Sequence, residues 1–249
     1  MFSLNKLKNF LPKFLNKKQY LKNKKLEQIT NDKEIFKNNY EDRINKIQEC
    51  LTKKKEISFL HSGHSGDIIL NFPVIKELSK THKCKLFIQL NLPIAKHYDN
   101  HPAGQFYMNK KIYNMIAPLI KNQKYIESVE IFNNQHIDIN LDLIRELPLN
   151  LLFDNMRYGS HITGTQPNLN EKFLECKEHN HLKEKIIIHR SFRQQNHYIS
   201  YNFLEKYEDA YFIGTFDEYN DLKKNLKNLK FYDCRDFLEM AMIIKSSKI

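Results

Sequence analysis

Acidic residues are absent from the first 26 positions of this 249-residue chain, which hold eight lysines. Much of the formal charge of +11 therefore sits at the amino terminus. Such a surplus suits an anionic partner, whether phosphate groups, a membrane surface or nucleic acid, but an AT-rich genome also yields abundant Lys, Asn and Ile. Cysteines are few, and Cys50, Cys84, Cys176 and Cys234 form no CxxC pair. That spacing indicates neither a zinc site nor a disulfide framework; reduced thiols in a cytoplasmic protein are the simplest account. Long hydrophobic runs are also missing. Phe2 to Leu15 is interrupted by Asn5, Lys6, Lys8, Asn9 and Lys13, so no signal-peptide core is expected, and no stretch reaches transmembrane length. No two aspartates are separated by one residue, which removes the DxD metal–nucleotide motif, and GxSxG, GKS/GKT and HExxH are absent. The aromatics are not set among basic residues as in an RNP strand, so no nucleic-acid partner is expected.

What is present is a folding chain: 41% hydrophobic and 12% aromatic residues are too many for a disordered one. Leu4, Leu7, Leu11 and Phe14 recur at helical spacing among lysines, as in an arm that either lies on an anionic membrane or packs on the body. Asn31 with Glu34 resembles a capping box, and Phe36, Tyr40, Ile44, Ile47 and Leu51 form the apolar stripe of the helix it would start. Ile57 to Leu60 has strand length, and the turn His61-Ser62-Gly63-His64-Ser65-Gly66 follows. Ile68, Ile69, Phe72, Ile75 and Leu78 then line one face of a helix beginning near Asp67. With the strand Lys85 to Leu90 this makes a right-handed βαβ unit. A helix over Tyr107 to Lys121 and a strand over Val129 to Phe132 come next; Leu141 to Leu147 reads either as loop or as helical turn. Met156 to Leu182 has the composition of a connection. The α/β pattern then restarts, with strands at Lys185 to His189, Ala210 to Gly214 and Leu229 to Tyr232 and helices at Tyr201 to Tyr207, Asp217 to Leu226 and Arg235 to Lys245. The expected domains are a basic helical extension (residues 1–55), a first α/β domain with its connection (56–182) and a second, partial one (183–249).

Chemistry-bearing residues gather after strands, where open α/β sheets bind ligands. Gly66 and Asp67 stand at a helix start, and the aspartate is either a functional carboxylate or a first-turn residue stabilised by the helix dipole. His61 and His64 flank the same turn and suit phosphate binding or proton transfer. Arg190, Ser191 and Arg193 follow a strand and suit a diphosphate, the alternative being a solvated loop. Gly214 and Thr215 open another such turn, and Asp217 and Glu218 read as first-turn helix residues.

GHSGDIILNFPVIKEL (Gly63 to Leu78) resembles the N-terminal motif of the ADP-heptose:lipopolysaccharide heptosyltransferase-like glycosyltransferases. MIAPLIKNQKYIESVEIF, KIIIHRSFR, YFIGTFDEYNDL and FYDCRDFLEMAMIIKSSKI resemble later segments of that family in the same order, so the likeness runs from Ile57 to Ile249. It implies a GT-B architecture of two Rossmann-like domains, the second incomplete here because the family's Gly-rich donor loop and helix would follow Ile249. It implies metal-independent inverting transfer of a sugar from a nucleotide-sugar donor, with no cofactor, to a glycan or lipid-linked acceptor in lipopolysaccharide biosynthesis. By position, Asp67 matches the family's general base, on the acceptor-side domain with Gly66, and Ser191 with Arg190 and Arg193 occupies the region where the family contacts the donor diphosphate; Gly66, Gly214 and Thr215 are the further binding candidates, from turns at strand ends. The implied location is cytoplasmic, with peripheral membrane contact through residues 1–26. The same sequence also fits a non-catalytic remnant or binding protein.

Overall fold

The computed structural model describes residues 16–94, 104–146, 157–192, 195–196 and 198–248. The amphipathic arm of residues 1–15 and the donor-site candidate Arg193 lie outside them. Described first is helix α1 (Lys17–Asn39), started by Asn16, whose side chain accepts from the Gln19 N–H at 3.0 Å. Asn31 and Glu34 therefore sit inside a helix rather than capping one. α1 buries no residue, and α2 (Glu41–Lys53) follows after a break at Tyr40. α2 is not a separate extension, because Ile47 belongs to the main core and Phe36, Tyr40, Ile44 and Leu51 pack against it.

Strands β1 (Glu56–His61), β2 (Lys83–Ile88), β3 (Ser128–Ile131) and β4 (Ile139–Asn140) form a parallel sheet in the order β3-β2-β1-β4. β1 is buried on both faces from Ile57 to His61, as expected of a central parallel strand covered by helices. The helix expected over residues 67–78 is two helices, α3 (Ser65–Leu70) and α4 (Phe72–Leu78), joined at Asn71. Pro73 explains the break: it has no N–H to give to Ile69, and Pro is tolerated only in the first turn of a helix. Asn71 closes the end of α3 by donating its amide to Asp67 O at 2.8 Å. Helix α5 (Lys110–Lys121) starts at Asn109, whose side chain accepts from the Ile112 N–H at 2.9 Å. β4, which the sequence did not announce, runs into a 3-10 helix, Leu141–Arg145. Within the expected connection, α6 (Tyr158–Thr163) buries Ile162 in the first core.

The second half holds β5 (Ile186–Ile188), a 3-10 helix (Asn202–Lys206), β6 (Ala210–Ile213), α7 (Phe216–Lys223), β7 (Lys230–Tyr232) and α8 (Phe237–Ser246). Its parallel sheet has the order β5-β6-β7. Consecutive β6 residues feed opposite faces. Phe212 packs with Tyr219 and Leu222, while Ile213 packs with Leu182 and Ile243. The second half thus draws on Leu182, just before the expected boundary. After α8 the chain returns to β5, where Lys248 makes a parallel bridge with Ile186. Both halves therefore reverse their strand order beside their first strand, the first where β4 joins β1 and the second where Lys248 joins β5. These are mixed α/β halves with Rossmann-like parallel sheets, held together in part by α5 packing on α8. Among the described residues no helix is long and apolar enough to cross a membrane.

Candidate functional site

Helices that follow parallel strands run back across the sheet, so the turns after β1, β5, β6 and β7 all emerge at strand carboxyl ends. Here they border one cleft of about 1400 Å³ between the two halves. From the first half come His64, Ser65 and Gly66; from the second come His189, Gly214, Thr215, Asp233 and Cys234. Its flanks are apolar, with Ile112, Met115 and Leu119 on α5 and Phe237, Met240 and Ile244 on α8. Lys111, Lys172 and Lys245 supply its positive charge, Glu175, Glu218 and Asp233 its negative charge. Of the expected site residues, Gly66, Gly214 and Thr215 line this cleft; Asp67, Arg190 and Ser191 are not among its lining residues.

Asp67 belongs to the first turn of α3, directly after Gly66, and its side chain is 42% exposed. Oδ2 accepts from the His64 N–H at 3.1 Å and lies 3.6 Å from Arg145 Nη2. Arg145 ends the 3-10 helix that follows β4, and the parallel pairing of β4 with β1 brings it to the same sheet edge. Its Nη1 donates to Asp142 Oδ1 at 2.7 Å and to Ser62 Oγ at 3.2 Å, and its guanidinium lies 4.6 Å from the Tyr107 ring centroid. His61 is buried, so the phosphate-binding role expected of it has no opening. Its Nδ1 is 3.1 Å from Asp142 Oδ1 and its Nε2 is 3.2 Å from Asn71 Nδ2. His61 Nδ1 also accepts from the Gly63 N–H at 2.9 Å. Burial opposes ionisation of Asp142, but its contact with His61 and the Arg145 charge outweigh it and hold the carboxyl below its ordinary range. Gly63 leaves room for three of these side chains. A Cβ there would overlap Arg145 Nη2 and sit 2.6 Å from His61 Cε1 and 2.8 Å from Asp67 Oδ2.

In the second half the expected diphosphate groups are otherwise engaged. Arg190, 10% exposed, donates from Nη2 to Asp221 Oδ2 at 2.7 Å and stacks 5.3 Å from the Tyr201 ring centroid. That pairing holds the Asp221 carboxyl below its ordinary range. Ser191 is half-buried. Gly214 has φ +150° and faces Phe212, whose Cε1 would be 2.8 Å from an added Cβ. Thr215 caps α7 in a reciprocal pair with Glu218: Glu218 N–H donates to Thr215 Oγ1 at 3.3 Å, and Thr215 N–H and Oγ1 donate to Glu218 Oε2 at 3.1 and 2.8 Å. Oε1 accepts from the Phe192 N–H at 3.0 Å, so the buried Glu218 carboxylate fills the hollow between the two turns. His189, a cleft-lining residue, donates from Nδ1 to Ile213 O at 2.8 Å, which fixes a proton on Nδ1 and the orientation of the ring.

Sequence reasoning missed Arg145, Asp142 and His189. Asp142 and Arg145 stand three apart just after a two-residue strand, and only recognition of that strand marks them as sheet-edge groups. Among the described residues no group of three or more His, Cys, Asp or Glu side chains is arranged to hold a metal ion. Compared with family models, curated proteins and solved structures, the chain matches none.

Proposed function

We propose that this chain is a GT-B-type glycosyltransferase, or the N-terminal portion of one, moving a sugar from a nucleotide-sugar donor to a surface-glycan acceptor. The observation that carries the reading is the cleft in which Gly66 on one sheet edge meets Gly214 and Thr215 on the other. Two Rossmann-like halves with a crevice between their strand carboxyl ends suit a two-substrate reaction, donor on one wall and acceptor on the other. The ordered resemblance from Ile57 to Ile249 points the same way.

In this mechanism the acceptor hydroxyl attacks the anomeric carbon from the face opposite the leaving group. The new C–O bond forms as the bond to the nucleotide diphosphate breaks, and Asp67, exposed beside the cleft next to the lining residue Gly66, takes the hydroxyl proton. The departing diphosphate needs positive charge. Lys111, Lys172 and Lys245 are the cleft cations among the described residues. A panel of UDP-, GDP- and ADP-sugars, assayed for release of nucleotide diphosphate with the full chain, tests the proposal. Wild type should turn over one of them, and Asp67→Asn should lower the rate by about 100-fold or more while melting like wild type. Wild-type protein that neither binds nor turns over any nucleotide sugar would sink it.

A second reading, a binding protein without catalysis, draws on the Arg190–Asp221 pair and on Glu218 filling the loop beside Thr215. Binding without turnover, unchanged in Asp67→Asn, is its signature.

A further inference from the structure

The two oxygens of the Asp67 carboxylate stand in unequal surroundings. Oδ2 is held by the His64 N–H and lies 3.6 Å from Arg145 Nη2, whereas Oδ1 has no hydrogen bond among the described residues. Arg145 already has one carboxylate, Asp142, at 2.7 Å, so it can face Asp67 with its second amino group without leaving a buried acid unpaired. Tyr107 on one side of the guanidinium and Ser62 at its edge fix the plane from which Nη2 points. The circuit closes on itself. Asp142 reaches His61 Nδ1, His61 Nε2 reaches Asn71, and the Asn71 amide returns to the backbone carbonyl of Asp67. Both the main chain and the carboxylate of Asp67 are thus tied into one ring of polar groups where β4 joins β1.

We infer that Arg145 is the positioning residue of this site: its ion pair with Oδ2 at 3.6 Å, acting with the His64 N–H, turns Oδ1 toward the incoming hydroxyl. The inference rests on the glycosyl-transfer reading for its chemical consequence, though not for its geometry. Arg145 touches no reacting atom in this scheme. Its effect is on the angle at which Oδ1 meets the hydroxyl, and a misplacement on the order of 1 Å costs about 100-fold in rate.

The experiment uses the full chain with Arg145→Ala, Arg145→Lys and Gly63→Ala, read in two ways. In the first, steady-state turnover of whichever nucleotide sugar wild type consumes is measured with and without millimolar guanidinium chloride, against sodium chloride at the same ionic strength. Arg145→Ala should lose about 100-fold in kcat with KM for the donor changed less than about threefold. Guanidinium, and not sodium, should recover part of that loss. Arg145→Lys keeps the charge and loses the fork, and should recover little of the wild-type rate. In the second, the His64 amide is followed by NMR without any substrate, and Arg145→Ala should shift it and speed its exchange because its acceptor has been released. Gly63→Ala would press on Asp67 Oδ2 as well as on the guanidinium, so it serves as a positive control for a displaced carboxylate, and Arg145→Lys, which keeps the charge, carries the test if Arg145→Ala does not fold. A folded Arg145→Ala with wild-type kcat, or a loss that sodium restores as well as guanidinium, overturns the inference while leaving the transferase reading intact. An unmoved His64 amide overturns it whether or not any sugar is turned over. An inactive wild type with a shifted His64 amide sinks the transferase reading and leaves the positioning role standing.

Discussion

Replacing Asp138 by asparagine should cost the fold about 2 kcal/mol at neutral pH, a loss that shrinks toward zero near pH 2. Asp138 immediately precedes β4 and clamps it to β1: Oδ2 accepts from the Ser58 N–H and from Ser58 Oγ, both at 2.8 Å, and Oδ1 binds Lys54. Its side chain is 6% exposed, so these interactions are little screened. Burial by itself would raise the Asp138 pKa, but the Lys54 and Ser58 hydrogen bonds overcome that and bring it from 3.8 to about 2. A depressed folded-state pKa means that the stabilisation is complete above the unfolded value and is lost as pH falls through the folded one. The window therefore runs from about pH 5 down to about pH 2, with roughly half the effect gone by pH 3. Urea unfolding of wild type and Asp138→Asn at several pH values between 3 and 7 reads this directly. The wild-type curve should fall toward the variant's as the acid is titrated. A constant gap across that range would refute the assignment of the stabilisation to the ionised carboxylate. Because β4 leads straight into the turn bearing Arg145, the same variant should also loosen the Asp67 circuit.

Two further outcomes follow from close packing and burial. Gly159→Ala places a Cβ 2.6 Å from Asn71 Oδ1 and 3.1 Å from Val74 Cγ2, where α6 crosses α4, and should destabilise by about 1–3 kcal/mol in urea unfolding. Cys84 is 1% exposed, and burial, helped by the Glu127 charge, pushes its thiol up to about 12. Alkylation at about pH 8 should modify it only after unfolding, more slowly than the half-buried Cys50. Equal native-state labelling of the two would contradict the packing of β2 against α4.

The parts of this molecule legible in the sequence are those in which a residue's neighbours are close in the chain. Short apolar runs mark β1, β2, β3 and all three strands of the second sheet to within two or three residues, most plainly in β1, where burial on both faces leaves little choice of residue. The reversal at β1 is not legible. β4 holds only Ile139 and Asn140, too short for any periodic signal, and its identity depends on pairing with Phe59 and Leu60 some 80 positions earlier. Everything hung on β4 is hidden with it, which is why Asp142 and Arg145 escape notice. Arg190 shows the converse. Its place after a strand is plain in the sequence, but its charge is committed to Asp221, a partner 31 residues away on α7 that no local pattern reveals. The helix expected over residues 67–78 has the right apolar face and one helix too few, since periodicity tracks burial and is blind to the N–H that Pro73 lacks.

Glu218 gives the second half a tethered competitor. A ligand phosphate entering the turn after β6 meets N–H and hydroxyl donors already occupied by an anion only three residues away in the chain, present at a high effective concentration however dilute the protein. Its measured affinity would therefore be the difference between two occupants of the same hollow. Expelling the carboxylate would also break the reciprocal half of the α7 cap and release the Phe192 amide, so occupancy there would be felt in the chain segment that carries Arg190.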